Sequence, residues 1–124
     1  MLPAQARLRR RPEFTAVVRS GRRAGRPTMV LHYLPERPVA ATPGRAAGPR
    51  AGFVVGKAVG NSVVRHRVTR RLRAVVRDEL HRLPAEADLV VRARPEAATA
   101  DSEVLRRDLR AGLDRLLTPR VRVP

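Results

Sequence analysis

The longest periodic segment of this chain is a basic amphipathic stretch that begins near Asn61 and ends before Pro84. Its apolar residues recur at helical spacing, at Val64, Val68, Leu72, Val75, Val76, Leu80 and Leu83. At about 100° per residue they fill one arc, and the opposite side carries His66, Arg67, Arg70, Arg73, Arg77 and His81. The runs 52–57 and 87–95 on either side resemble strands. A long helix between two strands indicates a fold in which helices cover a sheet.

Three further segments follow regular patterns. A short helix, a strand and a second amphipathic helix are predicted over residues 11–21, 27–34 and 101–117, respectively. Residues 35–52 are rich in Pro, Gly and Ala without a period, which predicts a flexible loop at about 36–50. The order α-β-β-α-β-α predicts one α+β domain over residues 1–124, built as a sandwich or split βαβ unit with a small sheet.

Positive charge is concentrated in the first part of the chain. The formal net charge is +16; residues 1–77 contain 18 Lys or Arg against two acids, and residues 78–124 contain nine of each. A charge distribution of this kind indicates a negatively charged partner. The chain has no cysteine and no apolar run of membrane-spanning length, so we expect a soluble cytoplasmic protein that does not bind a membrane.

The basic side of the 61–82 helix is the strongest candidate for a binding surface. A solvated helix face normally alternates positive and negative charges, whereas here Asp78 and Glu79 appear only in the last turns. Arg65 and Arg67 stand near the helix N-terminus, where the helix dipole disfavours cations unless an anion binds there. A helix between strands fits RNA-binding α/β modules better than a helix-turn-helix DNA reader, without eliminating the latter.

Other features carry weaker signals. The segment 54–62 places Lys57 near a helix start but lacks the glycine spacing of a phosphate loop, so neither nucleotide hydrolysis nor a dinucleotide cofactor is expected. Residues 1–11 form a basic arm that leads into Phe14. The three aromatic residues are expected in the core, although Phe14, or His32 with Tyr33, could instead stack on single-stranded bases. No catalytic or metal-binding set of residues is apparent.

A family resemblance adds to this interpretation. The segment KAVGNSVVRHRVTRRLR (57–73) resembles the signature helix of the protein subunit of bacterial ribonuclease P, where a lysine-containing turn and Gly-Asn precede an Arg-Asn-Arg-x-Lys-Arg core. The segments RLRRRPEFTAVVRSGRR, MVLHYL, DLVVRARP and EVLRRDLRAGLDRLL are similar to the first helix, two strands and last helix of that family. His66 and Thr69 replace the usual Asn and Lys, and the 35–52 connection is longer than expected.

The resemblance implies a specific fold and function. The fold would be an α-β sandwich with a four-stranded sheet, about three helices and a left-handed βαβ crossover, an exception to the usual handedness. The protein would bind a catalytic RNA and precursor tRNA and assist endonucleolytic removal of the 5′ leader, generating mature tRNA 5′ ends. The RNA would carry the chemistry with Mg²⁺, so no catalytic or metal-binding residue is assigned to the protein.

The resemblance also implies two binding surfaces. The catalytic RNA would contact Lys57, Asn61, Arg65, His66, Arg67, Arg70, Arg71 and Arg73. The leader would lie in a cleft formed by Arg7, Arg9, Arg10, Phe14, Val18 and His32. Val18 and His32 stand where the family often has aromatic residues, which leaves Phe14 as the main stacking candidate. The alternatives are a structural ribosomal or nucleoid protein without an associated reaction and, less favoured, an independent nuclease.

Overall fold

The protein is described here by a computed structural model that covers residues 6–8, 10–37 and 48–118. Its helices and strands are, in chain order, α1 (Arg11–Ser20), β1 (Arg22–Gly25), β2 (Met29–Leu34), β3 (Arg50–Val54), α2 (Ser62–Glu79), β4 (Asp88–Ala93) and α3 (Ser102–Leu117). Short 3₁₀ turns follow α2 and β4, at Leu80–Arg82 and Pro95–Thr99. Most of the predicted loop at 36–50 lies outside the described residues.

The four strands form one mixed sheet in the order β1-β2-β4-β3. β1 with β2 and β2 with β4 are antiparallel, while β3 and β4 are parallel neighbours joined through α2. The α+β class, the four-stranded sheet and the three helices are therefore confirmed. The left hand of the β3-α2-β4 crossover stays a prediction. β1 was not identified from the sequence, because Arg-Arg-Ala-Gly has neither β-branched residues nor a hydrophobic alternation.

The sheet has helices on both faces. Alternate residues of β2, namely Met29, Leu31 and Tyr33, face the main core, to which α2 and α3 contribute their apolar sides. The other residues of β2 face α1, and Leu34 packs there with Val90, Val17 and Leu8, with Phe14 at the edge of this smaller cluster. Because α1 is only 10 residues long, it covers part of this face, and the cleft that the resemblance implies would lie beside it.

Two helix caps confirm the predicted helix starts. Asn61 Oδ1 accepts a hydrogen bond from the Val64 amide at 3.0 Å, and Asp101 Oδ1 accepts one from the Val104 amide at 2.9 Å. Gly60, directly before the cap of α2, has a φ of +156°, and a Cβ there would lie 2.8 Å from Val64 Cγ1. The Gly60-Asn61 pair thus fixes where α2 begins.

Buried carboxylates connect separate elements of the fold. Asp88 and Asp108 both lie in the C-terminal third of the chain, and both are buried. Arg50 Nε and Nη2 donate to Asp88 Oδ1 and Oδ2 at 2.9 and 2.7 Å across the parallel strands. Asp108 of α3 accepts from the backbone amide and hydroxyl of Thr28 at 3.0 and 2.6 Å. Each carboxylate is buried because it meets donors held by another element.

Candidate nucleic-acid interface

The outward side of α2 is a cationic surface, which we call the α2 basic face. Its members are Arg65, His66, Arg67, Arg70, Arg71 and Arg73. Within the described ranges, no carboxylate lies within 4.0 Å of any of its arginines, and the first acid in this helix to pair with an arginine is Asp78, 3.7 Å from Arg77 Nε. His66 and Arg70 are exposed, while the other four side chains are half-buried. Unpaired guanidinium groups on one helix surface attract phosphates.

Two arginines of the α2 basic face also contact the protein. Arg67 Nη2 donates to the Ala98 carbonyl at 3.3 Å, and Arg71 Nη1 donates to the Ala100 carbonyl at 2.9 Å. Both carbonyls belong to the 3₁₀ turn after β4 or to its end. These bonds hold one flank of α2 against that turn and use only part of each guanidinium, which has five N–H donors.

The start of α2 forms the second part of this surface. Lys57 lies exposed in the turn before the helix, Asn61 is the N-cap, and the first turn contains no acid. A shallow groove here is lined by Ser62, Val63, His66, Arg67 and Arg70. Val63 has 72% of its surface exposed, more than the other exposed large hydrophobic residues. The sequence analysis did not identify Val63. An apolar residue is compatible with the helical pattern at this position, so the pattern does not show that its side chain is exposed.

The predicted leader residues lie on and around α1. The ring of Phe14 packs against Gly52 of β3 and is half-buried, and Val18 has 39% of its surface exposed. His32 lies in β2 with only 7% exposed. Phe14 and Val18 thus belong to α1, and His32 belongs to the sheet face that α1 partly covers. His32 lies deeper than a stacking residue would, and the role of all three in leader binding stays a prediction.

The ring of His32 has an unusual environment. Its Nε2 is buried and has no hydrogen-bond partner within the described structure. Burial, and then the positive charges of Arg92 and Arg23, lower the pKa of His32 from its usual 6.5. The imidazole is therefore neutral at physiological pH. Arg23 and Arg92 were not identified from the sequence, because their position on this face depends on strand pairing.

The basic arm is ordered where it meets the sheet. Arg7 forms a parallel bridge with Ala51, and the Leu8 amide donates to the Ala51 carbonyl at 2.9 Å. The backbone amide of Arg10 donates to Glu13 Oε1 at 3.0 Å, and the Arg10 side chain is exposed at the start of α1. Arg9 lies outside the described residues. Arg7 and Arg10 thus flank the end of α1 that carries Phe14.

The exposed side of α3 differs electrostatically from α2. Its arginines meet acids: Arg106 lies 2.9 Å from Asp78, and Arg110 lies 3.3 Å from Glu79. Asp114 of the same helix lies 2.5 Å from Arg82. This side is close to charge-balanced, so the excess positive charge faces outward from α2 and from the cleft. A polyanion is attracted to those two surfaces rather than to α3.

The described part of the chain contains no group of three or more His, Cys, Asp or Glu side chains placed to hold a metal ion. None of its helices combines the length and apolar character needed to cross a membrane.

Comparison with known proteins identifies the family. Residues 2–117 match the family model described as Ribonuclease P. The chain is 53% identical over 116 residues to the "Ribonuclease P protein component" of Corynebacterium diphtheriae, covering 94% of this chain and 97% of that protein. It is 54% identical over 118 residues to that of Streptomyces bikiniensis, with coverages of 94% and 96%.

Solved structures show the same fold at lower identity. The RNase P protein of Staphylococcus aureus superposes with a TM-score of 0.71 at 20% identity, covering 89% of this chain and 94% of that chain. The RNase P protein of Thermotoga maritima gives a TM-score of 0.70 at 24% identity, with coverages of 88% and 96%. The family match and the two relatives that are more than 50% identical establish that the chain belongs to the ribonuclease P protein family, the protein subunits of the ribonuclease P endoribonuclease.

Proposed function

We propose that the chain divides its two cationic surfaces between two RNAs: the α2 basic face binds the catalytic RNA, and the cleft beside α1 binds the 5′ leader of precursor tRNA. The family role, assistance in tRNA 5′ maturation, requires RNA partners in general. The unpaired arginines of α2 carry the first assignment. The second is supported by Phe14 and Val18, which present apolar surface beside the sheet.

The surfaces differ in a way that suits two different RNAs. The α2 basic face combines five arginines and a histidine on a convex helix surface, which suits the closely spaced phosphates of a folded RNA. The cleft combines a half-buried aromatic ring with an apolar rim, which suits an extended single strand whose bases are unpaired. A structural ribosomal or nucleoid protein would need only the first surface, and the family match disfavours that alternative.

The chemistry would be supplied by Mg²⁺ bound mainly by RNA. The described side chains offer no cluster of three carboxylate or imidazole ligands, and guanidinium groups repel a divalent cation. The protein's own contribution would be to neutralise phosphates where the two RNAs meet. This lowers repulsion between them and tightens binding of the substrate. We place this activity in the cytoplasm, where precursor tRNA is processed in bacteria.

Salt dependence tests the α2 assignment. If about five cations each neutralise one phosphate, log Kd against log salt should have a slope of roughly 3.5 to 4.5 in magnitude. The double variant Arg67→Gln/Arg70→Gln should flatten this slope by about one to two units for the catalytic RNA. The matched control Arg110→Gln/Arg115→Gln removes two charges from α3 and should leave the slope unchanged. Equal slopes for all three proteins would show that α2 is not the contact surface.

A reconstitution assay tests the reaction. The chain is combined with a bacterial ribonuclease P RNA, and leader removal from precursor tRNA is followed at limiting Mg²⁺. We expect the wild-type chain to raise the cleavage rate. We also expect it to make the complex bind precursor tRNA more tightly than mature tRNA. A protein that bound the RNA but conferred no preference for precursor tRNA would support the structural alternative.

A further inference from the structure

Three nitrogen-bearing side chains lie on neighbouring strands, on the face of the sheet that α1 partly covers. Arg23 of β1 pairs with His32 of β2, and Arg92 of β4 pairs with Val30, two residues before His32. Side chains alternate along strands, so this register puts Arg23, His32 and Arg92 on the face that α1 partly covers. With strands about 4.8 Å apart and about 3.4 Å per residue, the two arginines start about 10 Å apart across the sheet and about 7 Å along it.

Neither arginine has an acidic partner. Arg23 and Arg92 are exposed, and no carboxylate of the described residues lies within 4.0 Å of either guanidinium, in contrast to Arg106 and Arg110 of α3. Arg23 stands directly opposite His32 and Arg92 stands diagonally from it on the other neighbouring strand. Two uncompensated cations that flank a neutral ring leave a position where an anion is electrostatically favoured.

The buried ring supplies an independent sign of a missing ligand. His32 is 7% exposed, and its Nε2 is buried without a partner in the described structure. A buried polar atom without a partner calls for an explanation such as a ligand or an ion; among the described residues the other such side-chain atoms are all arginine Nε atoms. His32 lies on the α1 side of the sheet rather than in the main core, and the exposed Arg23 and Arg92 flank it, so an anionic ligand at this face would account for the unpartnered atom.

We propose that Arg23, His32 and Arg92 form a phosphodiester-binding subsite that holds the backbone of the single-stranded leader against the sheet. This deepens the proposed function and rests on it, because the leader is the strand assigned to the cleft. The two arginines would make the primary contacts, as guanidinium groups bind phosphate oxygens through paired N–H donors. His32 would donate a further hydrogen bond from Nε2–H once the side chains that cover this atom move aside.

The arrangement also orients the strand. Phosphates would face the sheet, where Arg23 and Arg92 lie, and bases would face α1, where Phe14 and Val18 offer apolar surface. Because this chain has few aromatic side chains, the positive charges on the sheet would provide affinity for the leader in their place. Affinity through phosphates does not depend on base identity, so this subsite would accept leaders of different sequence.

The experiment compares two double variants in the reconstituted holoenzyme. Arg23→Gln/Arg92→Gln changes the subsite, and Arg110→Gln/Arg115→Gln removes the same charge from exposed positions on α3. We expect the first to weaken binding of precursor tRNA by about tenfold and to flatten its salt slope by about 1 to 1.5 units, the share of two single-strand phosphate contacts. Affinities for mature tRNA and for the catalytic RNA should not change. The control should bind all three RNAs as wild type does.

Neutral linkages in the leader locate the contact. Methylphosphonates are placed one at a time, and each linkage that weakens wild-type binding but not that of Arg23→Gln/Arg92→Gln identifies a phosphate bound by these arginines. His32→Gln, which keeps an N–H donor, should bind precursor tRNA within about twofold of wild type, and His32→Leu should bind less tightly. This difference separates hydrogen bonding from space filling.

The outcomes distinguish the two proposals. If wild type prefers precursor tRNA and the Arg23/Arg92 variant behaves like the control, the subsite is overturned and the cleft assignment stands. If wild type shows no preference for precursor tRNA, the cleft assignment itself fails. If no neutral linkage distinguishes wild type from the variant, the arginines act through general charge and do not form a subsite.

Discussion

Phe14 of α1 occupies the space in which a side chain at Gly52 of β3 would stand. A Cβ at Gly52 would lie 2.4 Å from Phe14 Cζ and 2.9 Å from Leu8 Cβ. Two residues earlier on the same strand face, Arg50 Nη1 donates to Glu13 Oε2 at 2.6 Å. Two consecutive residues of α1 are therefore fixed on β3, one by packing and one by an ion pair. β3 thus determines how α1 stands over the cleft.

Substitution of Gly52 should disturb the cleft. In Gly52→Ala the new methyl group would force Phe14 and Leu8 to shift, and overpacking of this kind costs about 1–3 kcal/mol. We expect the melting temperature to fall by several degrees, and the preference for precursor over mature tRNA to weaken. Circular dichroism and holoenzyme binding measure the two effects. Gly56→Ala is the control, since a Cβ there meets nothing within 4 Å; an equal loss in both variants would contradict this reasoning.

The buried pair of Arg50 and Asp88 should contribute strongly to stability. Their side chains are 8% and 3% exposed. Asp88→Asn removes the charge that Arg50 contacts through two guanidinium nitrogens and that Arg37 Nε approaches to 3.4 Å. Loss of one partner of a buried pair costs about 3–5 kcal/mol. Because Glu13 also pairs with Arg50, we expect a loss near the lower end, measured by urea unfolding.

The control for that prediction is an exposed pair. Asp114 has 68% of its side chain exposed although it lies 2.5 Å from Arg82. Asp114→Asn should change the free energy of unfolding by at most about 1 kcal/mol. Similar losses for Asp88→Asn and Asp114→Asn would mean that burial of the Arg50 pair does not decide its contribution.

Neighbouring arginines of α2 should separate stability from RNA binding. Arg71 donates to the Ala100 carbonyl at 2.9 Å, so Arg71→Gln should lower the free energy of unfolding by about 1 kcal/mol. Arg70 is exposed, and Arg70→Gln should stay within about 0.5 kcal/mol of wild type. Both should flatten the salt slope for the catalytic RNA. A larger stability loss for Arg70→Gln would contradict the contacts described above.

The sequence predicted those elements whose hydrophobic pattern extends over many residues. α2 has 18 residues and an Asn61 cap, and its apolar arc and basic side both follow from one helical period. β1 has four residues without β propensity; it forms because β2 offers it an antiparallel partner. Such a strand is stabilised by pairing with its neighbour, and the residue types of the strand itself do not reveal that pairing.

The residues of the candidate site also divide into those that a local pattern predicts and those that depend on tertiary structure. Cations on one helix face can be predicted by counting residues, so the members of the α2 basic face were identified in advance. Arg23 and Arg92 come together only through the pairing of three strands, and a one-residue change of register would put either on the opposite face. The depth of His32 likewise depends on how α1 covers the sheet, which no local pattern specifies.

The buried imidazole of His32 should make stability depend on pH. Burial, Arg92 and Arg23 lower its folded pKa below 6.5, so between the folded pKa and 6.5 the unfolded chain binds more protons than the folded protein. Stability should therefore fall as pH decreases below about 6.5, and this contribution should level off once pH is below the folded pKa. Urea midpoints at pH 7.5, 6.5 and 5.5 measure it.

The matched variant for this test is His32→Gln, which keeps a polar side chain but does not titrate. The difference in stability between wild type and this variant isolates the contribution of residue 32, because every other group is common to both proteins. As the pH is lowered, wild type should lose more stability than His32→Gln. A bound leader phosphate would add negative charge beside the ring and favour its protonation, so precursor tRNA should reduce the shift in wild type. An identical pH dependence in both proteins, with and without precursor tRNA, would show that His32 neither titrates in this window nor faces the strand.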